Sequence, residues 1–172
     1  MNYSVYLRPL ALEDAETAYK WRNNPNIWVY TKHPINQYVT LEIERNWISE
    51  VSSRTNEKRF AICLTTDNQY IGNVQLTNIQ ESSATYHIFI GEESFWGKGI
   101  AKLATSLILE YAFFDMKLDT IFLDVHVENK AAQGIYKEKG FKVINDQNDF
   151  IDMSLTRETF LKNRDLSLLN VH

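Results

Sequence analysis

The segment Trp96-Gly97-Lys98-Gly99-Ile100-Ala101 joins a strand-like run to a long amphipathic stretch. A helix that begins at these glycines starts with several unpaired backbone amides, and the positive end of the helix dipole lies behind them. Because glycine lacks a β-carbon, a diphosphate can approach this backbone closely. Lys98 and Lys102 add positive charge at the same end. The segment therefore predicts a pyrophosphate-binding loop, with a plain glycine-rich turn before a helix as the alternative.

The glycine spacing excludes two common nucleotide-binding loops. A Walker loop has four residues between its glycines and ends in Gly-Lys followed by Ser or Thr, and this segment has neither feature. The dinucleotide-binding fingerprint needs three spaced glycines directly after a buried strand, which this segment also lacks.

Periodicity outside the loop predicts alternating strands and helices. Apolar residues alternate from 121 to 127, as in a strand, and recur every three or four positions after Gly99, as on a helix face. Predicted strands span 5–9, 60–64, 70–76, 84–90, 121–127, 141–144 and 150–155, and predicted helices span 13–23, 40–52, 99–115 and 129–139. The predicted buried face of helix 99–115 comprises Ile100, Leu103, Ala104, Leu107, Ile108, Tyr111 and Phe114. This alternation indicates the α/β class with a mixed sheet.

The composition favours one domain over residues 1–172, with a polar C-terminal extension after about residue 157. The 172 residues are enough for one core, and 44% of them are hydrophobic. The net charge of −4 offers no basic surface for nucleic acid. The single cysteine, Cys63, and an N-terminus unlike a signal peptide favour a cytoplasmic protein. No apolar run reaches the roughly 20 residues that span a bilayer, so no membrane partner is expected.

A second motif lies at residues 129–141, Asn-Lys-Ala-Ala-Gln-Gly-Ile-Tyr-Lys-Glu-Lys-Gly-Phe. In this order, and with a strand between them, the loop and this motif resemble the GNAT superfamily of N-acetyltransferases. The family loop Gln/Arg-x-x-Gly-x-Gly/Ala places Gly99 and Ala101 on its fixed positions. Trp96 stands where Gln or Arg is usual, as in branches that acetylate ribosomal-protein N-termini or amino-sugar nucleotides. The family pattern Asn-x-x-Ala-x-x-x-Tyr-x-x-x-Gly-Phe is matched by Asn129, Ala132, Tyr136, Gly140 and Phe141.

This resemblance implies a GNAT-like fold and a reaction. The expected fold is a single domain with a twisted, mostly antiparallel mixed sheet of six or seven strands, flanked by helices and opened by a splayed acyl-CoA cleft. The expected cosubstrate is acetyl-CoA, with no metal. Asn129 would hydrogen-bond the pantetheine arm, and Tyr136 would point its hydroxyl at the thioester sulfur. The expected cofactor-binding residues are Phe89, Ile90, Trp96, Gly97, Lys98, Gly99, Ile100, Ala101, Lys102, Asn129 and Ala132.

The chemistry of amine acetylation gives Tyr136 and His87 separate roles. A departing thiolate needs a proton, which a tyrosine can supply as charge develops; the alternative for Tyr136 is an aromatic residue that only packs in the core. An amine acceptor must lose a proton before it attacks, so a base is needed. His87 is the first candidate and His126 the second, while Glu92 is interpreted as a solvated charge. Cys63, in an apolar strand, is interpreted as an inert thiol, which favours direct attack by the amine.

The region from 21 to 30 is the predicted acceptor site. Trp21, Arg22 and Trp28 could stack on a sugar or base and grip a phosphate, or the tryptophans could cap the core while Arg22 pairs at the surface. The favoured acceptor is a small-molecule amine such as an amino-sugar nucleotide. The alternatives are a protein N-terminus and a non-catalytic acyl-CoA sensor. The expected assembly is a monomer or a homodimer.

Overall fold

The structure, a computed structural model, describes residues 3–32 and 36–169. The strands are β1 (Val5–Pro9), β2 (Lys58–Leu64), β3 (Tyr70–Thr77), β4 (Ser83–Ile90), β5 (Thr120–His126), β6 (Lys142–Gln147) and β7 (Phe150–Thr156). The helices are α1 (Ala15–Arg22), α2 (Leu41–Ser52), α3 (Ile100–Glu110), α4 (Lys130–Lys139) and α5 (Arg157–Leu169). Shorter helical turns lie at Leu12–Asp14, Pro25–Trp28, Glu93–Phe95 and Tyr111–Asp115.

The described strands form one seven-stranded sheet in the order β1-β2-β3-β4-β5-β7-β6. β4 and β5 run parallel, and the other neighbouring pairs are antiparallel. The predicted mixed, mostly antiparallel sheet is confirmed. No helix among the described residues is both long and apolar enough to cross a membrane.

The parallel pair β4–β5 is the point at which the sheet opens. Its register joins only Ser83 with Thr120, Ala84 with Ile121, and Thr85 with Phe122. Beyond these pairs the two strands continue to Ile90 and His126 without pairing to each other. The remaining halves therefore diverge and leave a cleft between them, which confirms the predicted splay.

Helices cover both faces of the sheet near this cleft. The Tyr86 side chain contacts Thr105 of α3, whereas Phe89 on the same strand contacts Trp21 of α1. Positions 86 and 89 are three apart, so their side chains lie on opposite faces of β4. α1 and α2 pack against each other. Phe160 of α5 is 9% exposed and lies in the core, so the C-terminal extension is a helix that packs on the domain.

The predicted buried face of α3 is wrong by part of a turn. Leu103, Leu107 and Phe114 are 40%, 36% and 43% exposed, respectively. The buried residues are Ile100, Ala104, Thr105, Ile108, Leu109, Ala112 and Phe113. Thr105 can be buried because its hydroxyl donates to the Ala101 carbonyl at 2.6 Å and bonds the Tyr86 hydroxyl at 2.8 Å. The apolar pattern alone therefore predicted the wrong set of buried positions on α3.

Candidate active site

The glycine loop ends in an uncapped helix start. Gly97 and Gly99 have φ angles of +70° and +79°, which glycine adopts without strain. Gly99 is the N-cap of α3, and no side chain bonds to the helix amides there. The Gly99 carbonyl accepts from Leu103, so the amides of residues 100–102 precede the first intrahelical bond. A β-carbon built on either glycine would have no atom within 4 Å, so the space above the loop is open.

The two lysines of the loop are held by neighbouring side chains. The Lys98 ammonium lies 3.4 Å from the Tyr3 hydroxyl and 5.7 Å from the centre of the Phe95 ring. The Lys102 ammonium forms an ion pair with Glu138 of α4 at 2.6 Å. Lys102 is 48% exposed in its side chain. Both charges stay at the positive end of α3, and their predicted contacts with a phosphate remain predictions.

Trp96 joins the loop to β4. Its indole Nε1 donates to the Ile90 carbonyl at 2.8 Å. The amide of Gly91 donates to the carbonyl of Ile71 on β3, so alternation along β4 turns the backbone of Phe89 toward β3 and that of Ile90 toward the cleft. The backbone of Ile90 therefore faces the cleft, and its contact with a pantetheine arm remains a prediction. Phe89 is placed differently, because its backbone faces β3 and its ring packs against those of Trp21 and Trp28.

The second motif sets the position of α4 beside the end of β5. Asn129 caps α4, because its Oδ1 accepts from the amide of Ala132 at 3.2 Å, which leaves its Nδ2 as a donor. The side-chain amide of Gln133 donates through Nε2 to the carbonyls of His126 and Val127, at 3.1 and 2.8 Å. Gly140 ends the helix with a φ of +97°. The helix is thereby fixed against the open half of β5.

Tyr136 lies in the core at the inner side of the cleft. It is 7% exposed, and its ring meets those of Tyr86 and Phe141 at centroid distances of 5.7 and 5.8 Å. Burial raises the pKa of Tyr136 to about 12, while the Tyr86 hydroxyl opposes the shift. The phenol therefore keeps its proton at every physiological pH. It can act as a hydrogen-bond donor to a group in the cleft.

His87 lies on the face of β4 opposite Tyr136. The face that carries Tyr136 is called the inner face of the sheet, and the face that carries His87 the outer face. Its Nε2 is 3.1 Å from the Thr77 hydroxyl. Burial lowers the pKa of His87, and the carboxylate of Asp124 partly offsets this effect. The ring is therefore neutral at pH 7. When Nε2 carries the hydrogen and donates to Thr77, Nδ1 is a free base.

His126, the second candidate base, has its Nδ1 occupied. This nitrogen accepts from the amide of Glu128 at 3.1 Å, so Nδ1 is not available to take a proton from an acceptor. The ring lies between those of Tyr30 and Phe150, with centroids 5.3 and 5.1 Å away. His126 is thus a packing residue of the cleft mouth.

Trp21 forms a wall behind the predicted acceptor site. It is 4% exposed, and its ring packs against those of Tyr70 and Phe89. Its Nε1 donates to Glu92 at 3.0 Å, so this glutamate is a hydrogen-bond partner rather than a solvated charge. A β-carbon at Gly91 would lie 2.1 Å from the Trp21 ring. The ring therefore has no open face on which a ligand could stack.

Arg22 and Trp28 line open space, but Arg22 is already paired. Its Nε lies 3.3 Å from the Glu44 carboxylate, and Glu44 is 1% exposed. The guanidinium lies over the rings of Trp28 and Trp47, at 5.7 and 4.7 Å. Arg22 borders two adjoining cavities of about 490 and 440 Å³. The Trp28 ring also contacts Phe89, at 4.9 Å between centroids.

The structure adds a pair that the sequence reasoning missed. The Lys32 ammonium lies 3.2 Å from Asp124 on β5 and 4.8 Å from the centre of the Phe150 ring. The available signal was a carboxylate in the middle of a mostly apolar and aromatic strand. Cys63 is fully buried, and burial raises the pKa of its thiol, which agrees with an inert role. The described residues contain no cluster of three or more side chains suited to a metal ion.

Comparison with known proteins gives one consistent result. The family described as "Acetyltransferase (GNAT) domain" matches residues 4–142. The chain is 33% identical over 146 residues to the spermidine N(1)-acetyltransferase of Escherichia coli K12, covering 82% of this chain and 74% of that protein. It is 24% identical over 143 residues to acetyltransferase PseH of Campylobacter jejuni, covering 83% and 86%.

A solved structure has the same fold over nearly the full length. It is that of the spermidine N-acetyltransferase from Vibrio cholerae in complex with CoA and spermine, with a TM-score of 0.80 and 27% identity. The match covers 91% of this chain and 98% of that one.

Proposed function

Because the chain belongs to the GNAT acetyltransferase family, we propose that it moves the acetyl group of acetyl-CoA to a primary amine of a small molecule, foremost an amino-sugar nucleotide. The amine attacks the thioester directly. The observation that carries this proposal is the position of Tyr136 and His87, on opposite faces of the sheet beside the opening between β4 and β5.

The residues of the cleft fit acetyl-CoA. The amides of residues 100–102 and the open space above Gly97 and Gly99 suit a diphosphate. The backbone N–H of Ile90 and the Nδ2 donor of Asn129 lie along the cleft and suit the amide carbonyls of the pantetheine arm. When bound, acetyl-CoA supplies the activated acyl group.

His87 is the proposed base. Its free Nδ1 takes a proton from the acceptor's ammonium group, and the resulting amine forms a bond to the carbonyl carbon as the carbon–sulfur bond breaks. A histidine with a lowered pKa is a weak base. It suits an amine on a sugar ring, whose neighbouring electron-withdrawing hydroxyl groups ease loss of the proton. A simple alkylammonium group gives up its proton less readily.

Tyr136 is the proposed stabiliser of the leaving sulfur. A thiol has a pKa of roughly 8.5, well below that of Tyr136. Full proton transfer from the phenol is therefore unfavourable, and the hydroxyl instead donates a hydrogen bond to the developing thiolate. Such a bond to a charged group is worth about 1.5–3 kcal/mol. His87 passes the first proton of the ammonium group to solvent, and the nitrogen then loses its second proton to the same imidazole once the new bond has formed. CoA leaves as the thiolate.

The side chains at the outer side of the cleft support the sugar-nucleotide acceptor. Trp28, Tyr30 and Phe150 supply aromatic faces. Such faces suit a sugar or a base. The pairing of Arg22 with Glu44 makes Arg22 a weaker phosphate ligand than its sequence position alone predicts.

Two observations favour a polyamine as the second candidate acceptor. The relatives that are 33% identical include spermidine acetyltransferases. On the outer face of the sheet, Asp124 and Asp152 are cross-strand partners, so two carboxylates lie side by side. Such a pair suits a ligand with several ammonium groups.

Thiol release from acetyl-CoA across an acceptor panel distinguishes these candidates. The panel holds UDP-linked 4-amino and 3-amino sugars, spermidine, aminoglycosides, and peptides with free Ser or Ala N-termini. We expect release with the sugar nucleotides, together with an N-acetylated product by mass spectrometry. Release with spermidine alone favours the second candidate. Silence with every amine, while acetyl-CoA still raises the melting temperature, contradicts the proposal and favours a sensor.

A further inference from the structure

We propose that the carboxylate of Asp124 receives the ammonium group of the acceptor, and that Lys32 is an internal cation which this group displaces. The inference rests on the proposed function, because it assigns a positioning residue to the same acceptor site.

Asp124 lies just beyond the point where the sheet opens. The pairing of β5 with β4 ends at Phe122, so Asp124 is on the unpaired half of β5. Ile121, Leu123 and Val125 are buried in the core, so alternation places Asp124 on the other face. Its side chain is 28% exposed. It therefore borders the cleft on the side from which an acceptor must enter.

The charge of Asp124 reaches both groups of the proposed mechanism. It acts to raise the pKa of His87 on the outer face of the sheet, and it also acts to raise that of Tyr136 on the inner face. Two residues beyond the last pair, Thr85 with Phe122, the register brings His87 and Asp124 to equivalent positions on the two diverging strands. An ammonium bound to Asp124 would therefore lie on the strand that faces the proposed base.

An ammonium already occupies this position. The Lys32 Nζ lies 3.2 Å from Asp124 Oδ2 and 4.8 Å from the centre of the Phe150 ring. A carboxylate beside an aromatic face is a combination that attracts organic cations. Lys32 is 38% exposed, and partly exposed ion pairs are weak. A primary ammonium from solution can therefore compete for the same carboxylate.

The neighbouring carboxylate is engaged differently and serves as a control. Asp152 is the cross-strand partner of Asp124. Its Oδ2 accepts from the side-chain amides of Gln147 and Asn145, at 2.8 and 3.3 Å. Asp152 therefore has neutral hydrogen-bond donors in place, whereas Asp124 faces a cation.

Steady-state kinetics of four variants test the proposal, with spermidine and a UDP-linked 4-amino sugar as acceptors. Asp124→Asn should raise the KM for the acceptor tenfold or more, because a charged hydrogen bond to the amine is lost. Lys32→Met should lower that KM severalfold, because the competing cation is gone. The KM for acetyl-CoA should stay constant in both. With the sugar nucleotide as acceptor, the controls Asp152→Asn and Lys142→Met should change neither constant. An unchanged acceptor KM in Asp124→Asn, or a raised one in Lys32→Met, overturns the proposal.

A binding measurement keeps the test independent of turnover. Methylammonium is titrated into the protein with CoA present, and NMR shifts of the backbone amides of residues 32 and 124 are followed. We expect saturable shifts in the unmodified protein, tighter binding in Lys32→Met and none in Asp124→Asn. The absence of shifts in all three proteins overturns the inference. Saturable shifts without acetylation of any amine contradict the proposed function alone.

Discussion

The rings of Tyr86 and Tyr136 meet edge to face across the inner side of the cleft, with centroids 5.7 Å apart. The Tyr86 hydroxyl in turn bonds the Thr105 hydroxyl of α3 at 2.8 Å. This contact chain links β4, α3 and α4 and is buried throughout. It fixes the Tyr136 hydroxyl in a dry site, which is why its pKa is raised and its proton is retained.

Replacing Tyr136 by Phe tests the hydrogen bond to the leaving sulfur. Because a bond to a developing thiolate is worth about 1.5–3 kcal/mol, kcat should fall about tenfold to a hundredfold. The dissociation constant for acetyl-CoA, from calorimetry, should stay the same. Tyr111→Phe serves as the control, since Tyr111 packs on Phe60 away from the cleft. Unchanged kcat in Tyr136→Phe would remove this residue from the mechanism.

The pH dependence of the rate tests His87. Burial holds its pKa below the usual 6.5, so the ring remains neutral, and active as a base, to lower pH than an exposed histidine. The kcat/KM for the acceptor should therefore decline on the acid side only below pH 6.5. His87→Gln should lose this decline and reduce kcat by about a hundredfold. A decline that persists in His87→Gln but disappears in His126→Gln assigns the base to His126 instead.

The buried ion pair between Arg22 and Glu44 is expected to contribute to the stability of the fold. Removing Arg22 leaves the Glu44 carboxylate buried at 1% exposure without its counter-charge. Arg22→Met should therefore lower the free energy of unfolding in urea by about 3 kcal/mol. The double variant Arg22→Met/Glu44→Leu should recover most of this loss. Full stability with a raised acceptor KM in Arg22→Met would show that Arg22 binds the acceptor instead.

Two glycines give opposite expected changes in stability. At Gly91 a β-carbon would lie 2.1 Å from the Trp21 ring, so Gly91→Ala should destabilise the fold by about 1–3 kcal/mol. At Gly134, inside α4, a β-carbon would meet nothing within 4 Å. Gly134→Ala should therefore stabilise the fold by about 0.5–1 kcal/mol. Thermal and urea unfolding measure both, and equal effects would contradict the packing of Trp21 on Gly91.

Gly99→Ala tests the phosphate loop. With φ at +79°, alanine adds strain of about 1–2 kcal/mol and places a methyl group in the open space above the loop. The KM for acetyl-CoA should rise at least tenfold, with a smaller effect on the acceptor KM. Asn148→Ala is the control, because Asn148 also has a positive φ, +44°, in the turn between β6 and β7. It should lower stability and leave both KM values unchanged. A Gly99→Ala enzyme with normal KM for acetyl-CoA would place the diphosphate elsewhere.

Local signals in the sequence predicted most of the fold. Strand alternation and helix caps depend on residues close together in the chain, so β1, β5 and the ends of α4 were found nearly residue by residue. The phase of α3 was not, because the burial of Thr105 depends on the hydroxyl of Tyr86, 19 residues away.

The candidate site was predictable only where it follows a motif. The loop and the α4 motif carry local spacing, whereas the burial of Trp21 depends on Gly91 and Glu92, far along the chain. The Lys32–Asp124 pair joins a loop to a strand across 92 positions, the difference between the two residue numbers. No periodicity or motif relates such residues. Tertiary packing alone brings them together.

The most direct test of the central claim is the initial-rate pattern when acetyl-CoA and the best acceptor from the panel are varied together. Direct attack requires both substrates in the β4–β5 cleft at once, so double-reciprocal plots should intersect. Parallel lines, with release of CoA thiol before the acceptor is added, would show an acyl-enzyme and contradict direct transfer between the two faces of the sheet.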